Sequence, residues 1–209
     1  MYVPSAFKQE DLTELHAAIR ACGLATLVTT GSDGPIASHV PMLLDDGVLY
    51  GHVAKANPQW QQSAPKANAL AMFLGPDAYI SPSWYETKRQ TGRVVPTWNY
   101  VAVHATGPIT FFSEPDRLLD VVRRLTERQE AGRAAPWAVA DAPDDFIRAQ
   151  LKGIVGFRLA IMRLEGKWKL GQNRSAPDRA GAAAGLAQED AAGAAAIAAL
   201  MATPEPEGD

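Results

Sequence analysis

Two Asp-Gly pairs near the start of this chain most constrain its fold, because Asp-Gly between apolar runs is typical of a β-hairpin turn. They lie in the stretches "SDG" (32–34) and "DDG" (45–47). Apolar spacing around them predicts strands over residues 24–30, 35–44 and 48–53. A helix over residues 11–22, stopped by Gly23, precedes these strands. The first part of the chain is therefore predicted to be an antiparallel meander.

The rest of the chain adds strands and amphipathic helices without the strand-helix alternation of a parallel α/β fold. We expect short strands over 68–75 and 78–81, a polar loop over 82–94, and a strand from Thr97 to Phe112. Further predicted elements are a helix opened by Asn57 and Pro58, helices over 113–129 and 144–152, a hairpin over 153–170 turning at Glu165-Gly166, and a helix capped by Ser175 and Asp178. This order predicts a mainly β fold with peripheral helices, closed as a small barrel.

Composition sets limits on location and partners. The 209 residues carry a net charge of −3 and a single cysteine, Cys22. That charge gives weak nonspecific attraction to DNA, and one cysteine permits no intramolecular disulfide. The Ala-rich run at 191–202 is too short to span a bilayer, and the start lacks a signal-peptide pattern. We expect one cytoplasmic domain over residues 1–203, which includes a C-terminal helix, and a disordered tail over 204–209.

Two histidines flank the second Asp-Gly turn. A two-residue turn would place His39 and His52 on the same face of the hairpin, whereas a three-residue loop would place them on opposite faces. Same-face imidazoles could bind a metal, hold a cofactor or simply form hydrogen bonds. No cysteine or carboxylate cluster with metal-ligand spacing accompanies them, so we predict no metal site. No residue stands out as a catalytic acid, base or nucleophile.

Two stretches offer groups for an anion. In "GHVAKANPQW" (51–60), Lys55 lies at a strand end beside a helix N-terminus, which suits a phosphate or is an ordinary exposed lysine. In "AYISPSWY" (78–85), Ser81 and Ser83 flank a proline where a strand ends, and two hydroxyls there could bind phosphate or form a common turn.

Two further stretches combine aromatic, amide and cationic groups. In "VPTWNYVAVHATG" (95–107), Trp98 and Asn99 lie on opposite faces of a strand, where they could border a flat ligand or pack a core. In "KWKLGQNRS" (167–175), Gln172, Asn173 and Arg174 follow two lysines and suit an anionic or heterocyclic ligand, or form a solvated loop.

Together with "MYVPSAF" at the start, these blocks follow the order found in the PaiB-type family. This family is also called the FMN-binding negative transcriptional regulator family. The chain resembles it over about residues 1–200. The resemblance implies an FMN-binding split β-barrel of the pyridoxamine-phosphate-oxidase-like type. It also implies a homodimer with FMN sites at the subunit interface. One departure is Gly171, which stands where the family pattern K-L-S-Q-N-R has serine.

The resemblance also implies roles for the candidate residues. Trp98 and Asn99 would lie near the isoalloxazine ring, and Lys55, Ser81 and Ser83 would contact the phosphate. The remaining candidates for the cofactor site are His52, Gln172, Asn173 and Arg174.

Several functions remain open at this stage. The chain could be a flavin-dependent oxidoreductase, a flavin-responsive sensor, or a transcriptional regulator that acts through DNA or a protein partner without flavin chemistry. A haem-binding split barrel is a further alternative, with His16, His39, His52 and His104 as candidate axial ligands. The sequence does not reveal a substrate.

Overall fold

The computed structural model describes residues 1–63 and 68–202 and divides the chain into two compact units. The first unit comprises Met1–Leu15, Leu74–Val103 and Glu165–Asp209, and the second comprises His16–Phe73 and His104–Leu164. The prediction of one domain over 1–203 stays a prediction, because two compact units need not fold separately. The predicted tail over 204–209 lies outside the described residues.

Antiparallel strands form most of the second unit. Its strands are β2 (Ala25–Gly31), β3 (Gly34–Val40), β4 (Leu43–Asp45), β5 (Val48–Ala54) and β8 (Ile154–Ala160), together with parts of β6 (Asn68–Ile80) and β7 (Thr97–Phe112). Strand β2 pairs with β3 and β6, β5 pairs with β4 and β8, and β8 also pairs with β7. Alternating apolar side chains of these strands form the core, with Leu27, Leu49 and Phe157 fully buried.

The helices of the second unit lie around this sheet. They are α2 (Gln59–Gln62), α4 (Pro115–Glu130) and α5 (Asp144–Leu151), and α1 (Leu12–Ala21) begins in the first unit. The apolar face of α4 packs Leu118, Val121 and Leu125 against Phe112 and Leu151. Helix α4 begins at Pro115, two residues after the predicted start at residue 113.

The first unit combines strand segments with helices. Its elements are β1 (Lys8–Gln9), which pairs with β9 (Arg163–Lys169), and the helices α3 (Glu86–Thr91), α6 (Ala176–Leu186) and α7 (Ala194–Ala202). Apolar side chains of these helices pack with Ile80 and Tyr85 into one core. Ser175 caps α6 as predicted, since its hydroxyl accepts a hydrogen bond from the Asp178 N–H at 3.3 Å. No helix among the described residues is long and apolar enough to cross a membrane.

Five predicted elements are wrong in detail. The predicted strands 68–75 and 78–81 form the single strand β6, and predicted strand 35–44 is divided into β3 and β4. The predicted loop 82–94 contains α3, which ends where Gly92 adopts a left-handed backbone with φ of 69°. The predicted helix after Ser175 is two helices, α6 and α7.

The predicted hairpin over 153–170 is also wrong. Strand β8 pairs with β5 and β7, whereas β9 pairs with β1 and β7. Gly166, predicted to form the turn, lies inside β9 opposite Gln9. A Cβ there would come within 2.2 Å of a methyl group of Leu15, so close packing rather than a turn requires glycine at this position.

Candidate functional site

A groove in the second unit separates two strands that belong to different parts of the strand order. Strand β3 pairs with β2, and β5 pairs with β4 and β8, yet the two strands face each other across a cavity of about 580 Å³. The groove, which we call the β3–β5 groove, is lined by Ala37, Ser38, His39, Val40, Pro41, His52, Val53, Ala54, Asn57 and Ile154. Its size lies within the range of small-molecule sites in proteins.

Both candidate histidines line this groove, but not as neighbours in a hairpin. The Asp46-Gly47 turn has two residues, since Asp45 pairs with Val48, but His39 lies beyond that hairpin on β3. Its Nδ1 is 2.9 Å from the Thr26 hydroxyl. His52 lies on β5 opposite Gly156, and its buried Nδ1 has no hydrogen-bond partner. Burial lowers the pKa of His52, which favours the neutral imidazole.

The main-chain groups of Lys55 fix its position directly after β5. Its N–H donates to the Gly153 carbonyl at 2.8 Å, and its carbonyl accepts from the Trp60 indole N–H at 3.0 Å. The side chain is exposed, and its ammonium forms no ion pair with any residue in 1–63 or 68–202. Lys55 therefore offers an unpaired cation next to Ala54, which lines the groove.

Asn57 joins the next helix to the groove. Its Nδ2 donates to the Ser38 hydroxyl at 2.8 Å, and its Oδ1 accepts from the Gln59 N–H at 2.9 Å. Helix α2 begins at Gln59, with Pro58 in the cap position, one residue later than the sequence predicts. Asn57 nevertheless satisfies a free N–H group at the start of this helix, as a capping side chain does.

In the first unit, Ser81 and Ser83 lie together at a 3₁₀ turn over Pro82–Trp84. The Ser81 hydroxyl accepts from the Ser83 N–H at 3.2 Å, and Lys88 Nζ donates to the Ser83 hydroxyl at 3.0 Å. The sequence did not single out Lys88, because the stretch around it resembled a loop. Helical spacing from Glu86 to the Gly92 stop would have shown a helix that brings Lys88 back toward Ser83.

Trp98 and Asn99 project to opposite faces of β7, as predicted from strand alternation. The Trp98 side chain is 54% exposed and meets the Tyr79 ring edge-on, with ring centroids 6.1 Å apart. Asn99 is buried, and its Nδ2 donates to the Met201 sulfur at 3.3 Å. Of the two, Trp98 is the side chain accessible to a ligand in this unit.

The segment after β9 holds the remaining candidates. Gln172 folds back on its own loop, where its Nε2 donates to the Trp168 carbonyl at 2.7 Å and its Oε1 accepts from the Leu170 N–H at 2.8 Å. The Arg174 guanidinium lies over the Tyr85 ring, 5.0 Å from its centroid, and Asn173 is exposed. Gly171 has a φ of 83°, a conformation that favours glycine over the serine of the family pattern.

Two lysines give this part of the first unit a positive character. Lys169 Nζ donates to the Thr97 hydroxyl and to the Trp98 carbonyl. Burial, and then the charges of Lys167 and Arg174, lower the pKa of Lys169. Lys167 lies between the Tyr2 and Tyr100 rings, 5.6 and 5.1 Å from their centroids. Within the described chain neither lysine has a carboxylate partner, so the region suits an anion.

The structure thus divides the candidates between the units. It places His52 and Lys55 in the second unit and the other predicted site residues in the first. Throughout residues 1–63 and 68–202, no three His, Cys, Asp or Glu side chains gather as a metal site would require.

The groups around the β3–β5 groove fit the chemistry of FMN. Pro41, Val40 and Val53 give apolar walls for a flat ring. The unpartnered nitrogen of His52 offers a hydrogen bond, and Lys55 offers a charge for a phosphate.

Comparison with known proteins agrees with this chemistry. Residues 1–163 match the family described as "Putative FMN-binding domain". "Protease synthase and sporulation protein PAI 2" of Bacillus subtilis is 36% identical over 182 residues, covering 85% of each chain. "Uncharacterized protein AN0679" of Emericella nidulans is 32% identical over 227 residues, covering 89% of this chain and 90% of that protein.

Solved structures show the same fold at low sequence identity. The "FAD and Heme binding protein from Mycobacterium smegmatis" has a TM-score of 0.59 and 17% identity, covering 78% of this chain and 73% of its own. The "Flavocytochrome Anf3 from Azotobacter vinelandii" has a TM-score of 0.57 and 13% identity, and the match covers 78% of this chain and 69% of that protein.

These comparisons confirm three predictions: the split-barrel fold, the PaiB resemblance and FMN as cofactor. The chain therefore belongs to the FMN-binding domain family that includes the Bacillus subtilis PAI 2 protein.

Proposed function

We propose that this chain holds FMN in the β3–β5 groove and serves as a redox flavoprotein. The observation that carries the proposal is the groove itself, a cavity of about 580 Å³ between two strands that do not pair with each other. His52 contributes a buried ring nitrogen without a partner, and such a group is costly unless a ligand completes its hydrogen bond. FMN, when bound, supplies one- and two-electron transfer.

Lys55 is the phosphate contact in this proposal. Its main chain is held by Gly153 and Trp60, while its ammonium has no ion-pair partner in the described part of the chain. The fixed main chain keeps the side chain beside the groove, and the ammonium can bind a phosphate without breaking an existing ion pair. Ser81 and Ser83, with Lys88 bonded to Ser83, form the rival phosphate site in the first unit.

We also propose that the protein is a homodimer with its cofactor site at the subunit interface. Leu74, Tyr79 and Trp98 are large apolar side chains of the first unit that remain exposed. Leu74 and Trp98 border a cavity of about 290 Å³. A second subunit would bury this surface and bring Trp98, Asn173 and Arg174 to the cofactor, whereas Asn99 is buried and the Gln172 amide is bonded within its own loop.

Filling the groove tests the flavin site directly. Ala37 lines the groove, so Ala37→Trp should weaken FMN binding at least tenfold in a fluorescence titration. Ala149→Trp, on the exposed surface of α5, is the matched control and should bind FMN like the wild type. Equal FMN affinity in the two variants would place the flavin elsewhere.

A haem is the second candidate ligand for this groove. The unpartnered nitrogen of His52 favours it, because a neutral imidazole is a common axial ligand of haem iron. The absorption spectrum of the purified protein separates the candidates, since haem gives an intense Soret band that a flavin lacks. A Soret band that disappears in His52→Ala would favour haem over flavin.

A regulatory use of the same site is the alternative to catalysis. The name of the Bacillus subtilis relative, "Protease synthase and sporulation protein PAI 2", refers to sporulation, which supports a regulatory role. A cytoplasmic location would suit either role. If the Lys55→Ala and Trp98→Ala variants bind no FMN and still regulate, the regulatory role does not depend on flavin chemistry. A salt-dependent shift of a promoter fragment in a gel would indicate direct DNA binding.

A further inference from the structure

The hydroxyl of Ser38, which lines the β3–β5 groove, has a hydrogen-bonding direction that is set by Asn57. The Asn57 Oδ1 accepts from the Gln59 main-chain N–H at 2.9 Å, and a main-chain nitrogen can only donate. The oxygen of the Asn57 amide therefore faces Gln59, and its Nδ2 is the atom that meets the Ser38 oxygen at 2.8 Å. Because an amide NH₂ also only donates, Ser38 accepts this bond.

The proton of the Ser38 hydroxyl is not used in this bond. A hydroxyl carries one proton, and across residues 1–63 and 68–202 the Ser38 hydroxyl has no second hydrogen-bond partner. The side chain is half-buried in the wall of the groove. What Ser38 still requires is therefore a hydrogen-bond acceptor, and a molecule bound in the groove can supply one.

Strand geometry favours a position beside the flavin ring rather than beside the phosphate. Ser38 and Val40 are two residues apart on β3, so their side chains lie on the same face of that strand. Val40 is buried and belongs to the apolar wall that suits a flat ring. The side chain of Lys55, the proposed phosphate contact, is exposed instead. The edge of a flavin ring carries carbonyl oxygens and unprotonated nitrogens, which are hydrogen-bond acceptors.

We propose that the Ser38 hydroxyl donates a hydrogen bond to an acceptor atom of the flavin ring, and that Asn57 is the positioning residue that directs this donor. The pair selects a ring with an acceptor at this edge, because a donor placed there would meet the Ser38 proton. The inference rests on the proposed function, since it requires the ring to lie in the β3–β5 groove.

Fluorescence titration of Ser38 variants with FMN and with riboflavin tests the contact. Ser38→Ala should weaken binding of both ligands about fivefold, because the lost hydrogen bond is to the ring that they share. Ser38→Thr keeps the hydroxyl and should remain within about twofold of the wild type. Ser113→Ala, at an exposed position outside the groove, is the matched control and should bind both ligands like the wild type. Wild-type affinity in Ser38→Ala would overturn the proposal, and so would a loss seen with FMN alone, which would place the hydroxyl at the phosphate.

Asn57→Asp tests the positioning role. This change keeps the oxygen that accepts from the Gln59 N–H but replaces the donor facing Ser38 with a second acceptor. The Ser38 proton should then turn to the carboxylate and leave the ring, which should weaken riboflavin binding about fivefold. Riboflavin is the probe here because it has no phosphate for the new charge to repel.

The double variant completes the test. If Asn57 acts through Ser38, Ser38→Ala combined with Asn57→Asp should weaken riboflavin binding about fivefold, as each single change does, rather than about 25-fold. Losses that multiply would overturn the positioning role. If Ala37→Trp blocks FMN binding but Ser38→Ala does not affect it, this inference alone fails. If the wild type binds no FMN, or Ala37→Trp binds it like the wild type, the proposed function fails and this inference fails with it.

Discussion

The buried carboxylate of Asp178 accepts two hydrogen bonds from Thr87, one from its main-chain N–H at 2.9 Å and one from its hydroxyl at 2.8 Å. Asp178 lies in the first turn of α6, and Thr87 lies in the first turn of α3. This pair therefore fixes the start of one helix to the start of the other. Helix α3 carries Lys88, so the same bonds also hold the Ser83–Lys88 contact in place.

We predict that Asp178→Asn destabilises the protein by about 2 kcal/mol, because an amide cannot accept both bonds equally well and its NH₂ group lacks an acceptor. Urea unfolding at pH 7 measures the loss. Asp116→Asn, at an exposed position on α4, should change stability by less than about 0.5 kcal/mol. A loss as small as that of the control would show that the pair contributes little.

This stabilisation should depend on pH. Burial alone would raise the pKa of Asp178, but the hydrogen bonds from Thr87 and Ser175 and the charge of Arg174 outweigh it and lower the pKa. In the unfolded chain the pKa of an aspartate is about 4. Because the pKa of Asp178 is lower than this in the folded protein, its stabilisation is complete above about pH 4 and is lost as the pH falls through the folded-state pKa. The difference between wild type and Asp178→Asn should therefore shrink below about pH 4.

Two glycines of α6 should resist replacement by alanine, although alanine usually stabilises a helix by about 1 kcal/mol. A Cβ on Gly185 would lie 2.4 Å from the Trp84 ring, and one on Gly181 would lie 2.1 Å from the Trp84 carbonyl oxygen. We expect Gly181→Ala to cost about 2 kcal/mol, because a backbone oxygen cannot move aside easily. Thermal unfolding measures this loss of stability. Gly23→Ala is the control, since a Cβ on Gly23 would meet no atom within 4 Å apart from its own residue and its two chain neighbours. A stabilised Gly181→Ala would refute this packing.

The same close contacts explain where sequence reasoning succeeded and failed. Turn chemistry and strand alternation predicted the Asp46-Gly47 hairpin and the whole of β7, because those signals are local. The sequence around Gly166 fits a turn as well as it fits a strand, and only the close contact with Leu15 shows why a strand has glycine there. Gly193 likewise divides the predicted C-terminal helix with a φ of 84°, at a point where a Cβ would lie 2.4 Å from the Asp77 carbonyl oxygen. Such contacts depend on residues distant in sequence.

The candidate site shows the same division. The sequence pointed to Lys55 and both histidines, but the β3–β5 groove that His39 and His52 line arises from strand pairing that no single stretch specifies. The N-P-Q-W block belongs partly to the fold. Gln59 is fully buried, and its Nε2 lies within 3.2 Å of the Leu27 carbonyl, the Ile36 carbonyl and the Thr29 hydroxyl. That glutamine joins α2 to β2 and β3.

We predict that Gln59→Leu destabilises the protein by about 3 kcal/mol, because it leaves several buried oxygens without a donor. Gln61→Leu, at an exposed position in the same helix, should lie within about 0.5 kcal/mol of the wild type. Chemical denaturation compares the two. If both variants unfold at the same denaturant concentration, the buried amide is dispensable.

Lys55 and Lys88 can be distinguished as phosphate contacts by comparing FMN with riboflavin, which lacks the phosphate. If Lys55 contacts the phosphate, Lys55→Ala should weaken FMN binding about tenfold or more and leave riboflavin binding unchanged. Lys88→Ala should then affect neither ligand. Fluorescence titration with both flavins measures the four affinities, and Lys8→Ala controls for the loss of a positive charge. The reverse pattern would assign the phosphate to the Ser83–Lys88 site.

Trp98 tests the proposed dimer. Its side chain is 54% exposed and touches the Tyr79 ring only edge-on, so its removal should cost one subunit little stability. If this surface forms the interface, Trp98→Ala should raise the dimer dissociation constant at least tenfold, as the loss of a central aromatic side chain does. Analytical ultracentrifugation measures the constant. Trp137→Ala, which removes a comparably exposed tryptophan of the second unit, should dimerise like the wild type. A monomeric wild type would reject the dimer, whereas a Trp98→Ala dimer as tight as the wild type would place the interface on another surface.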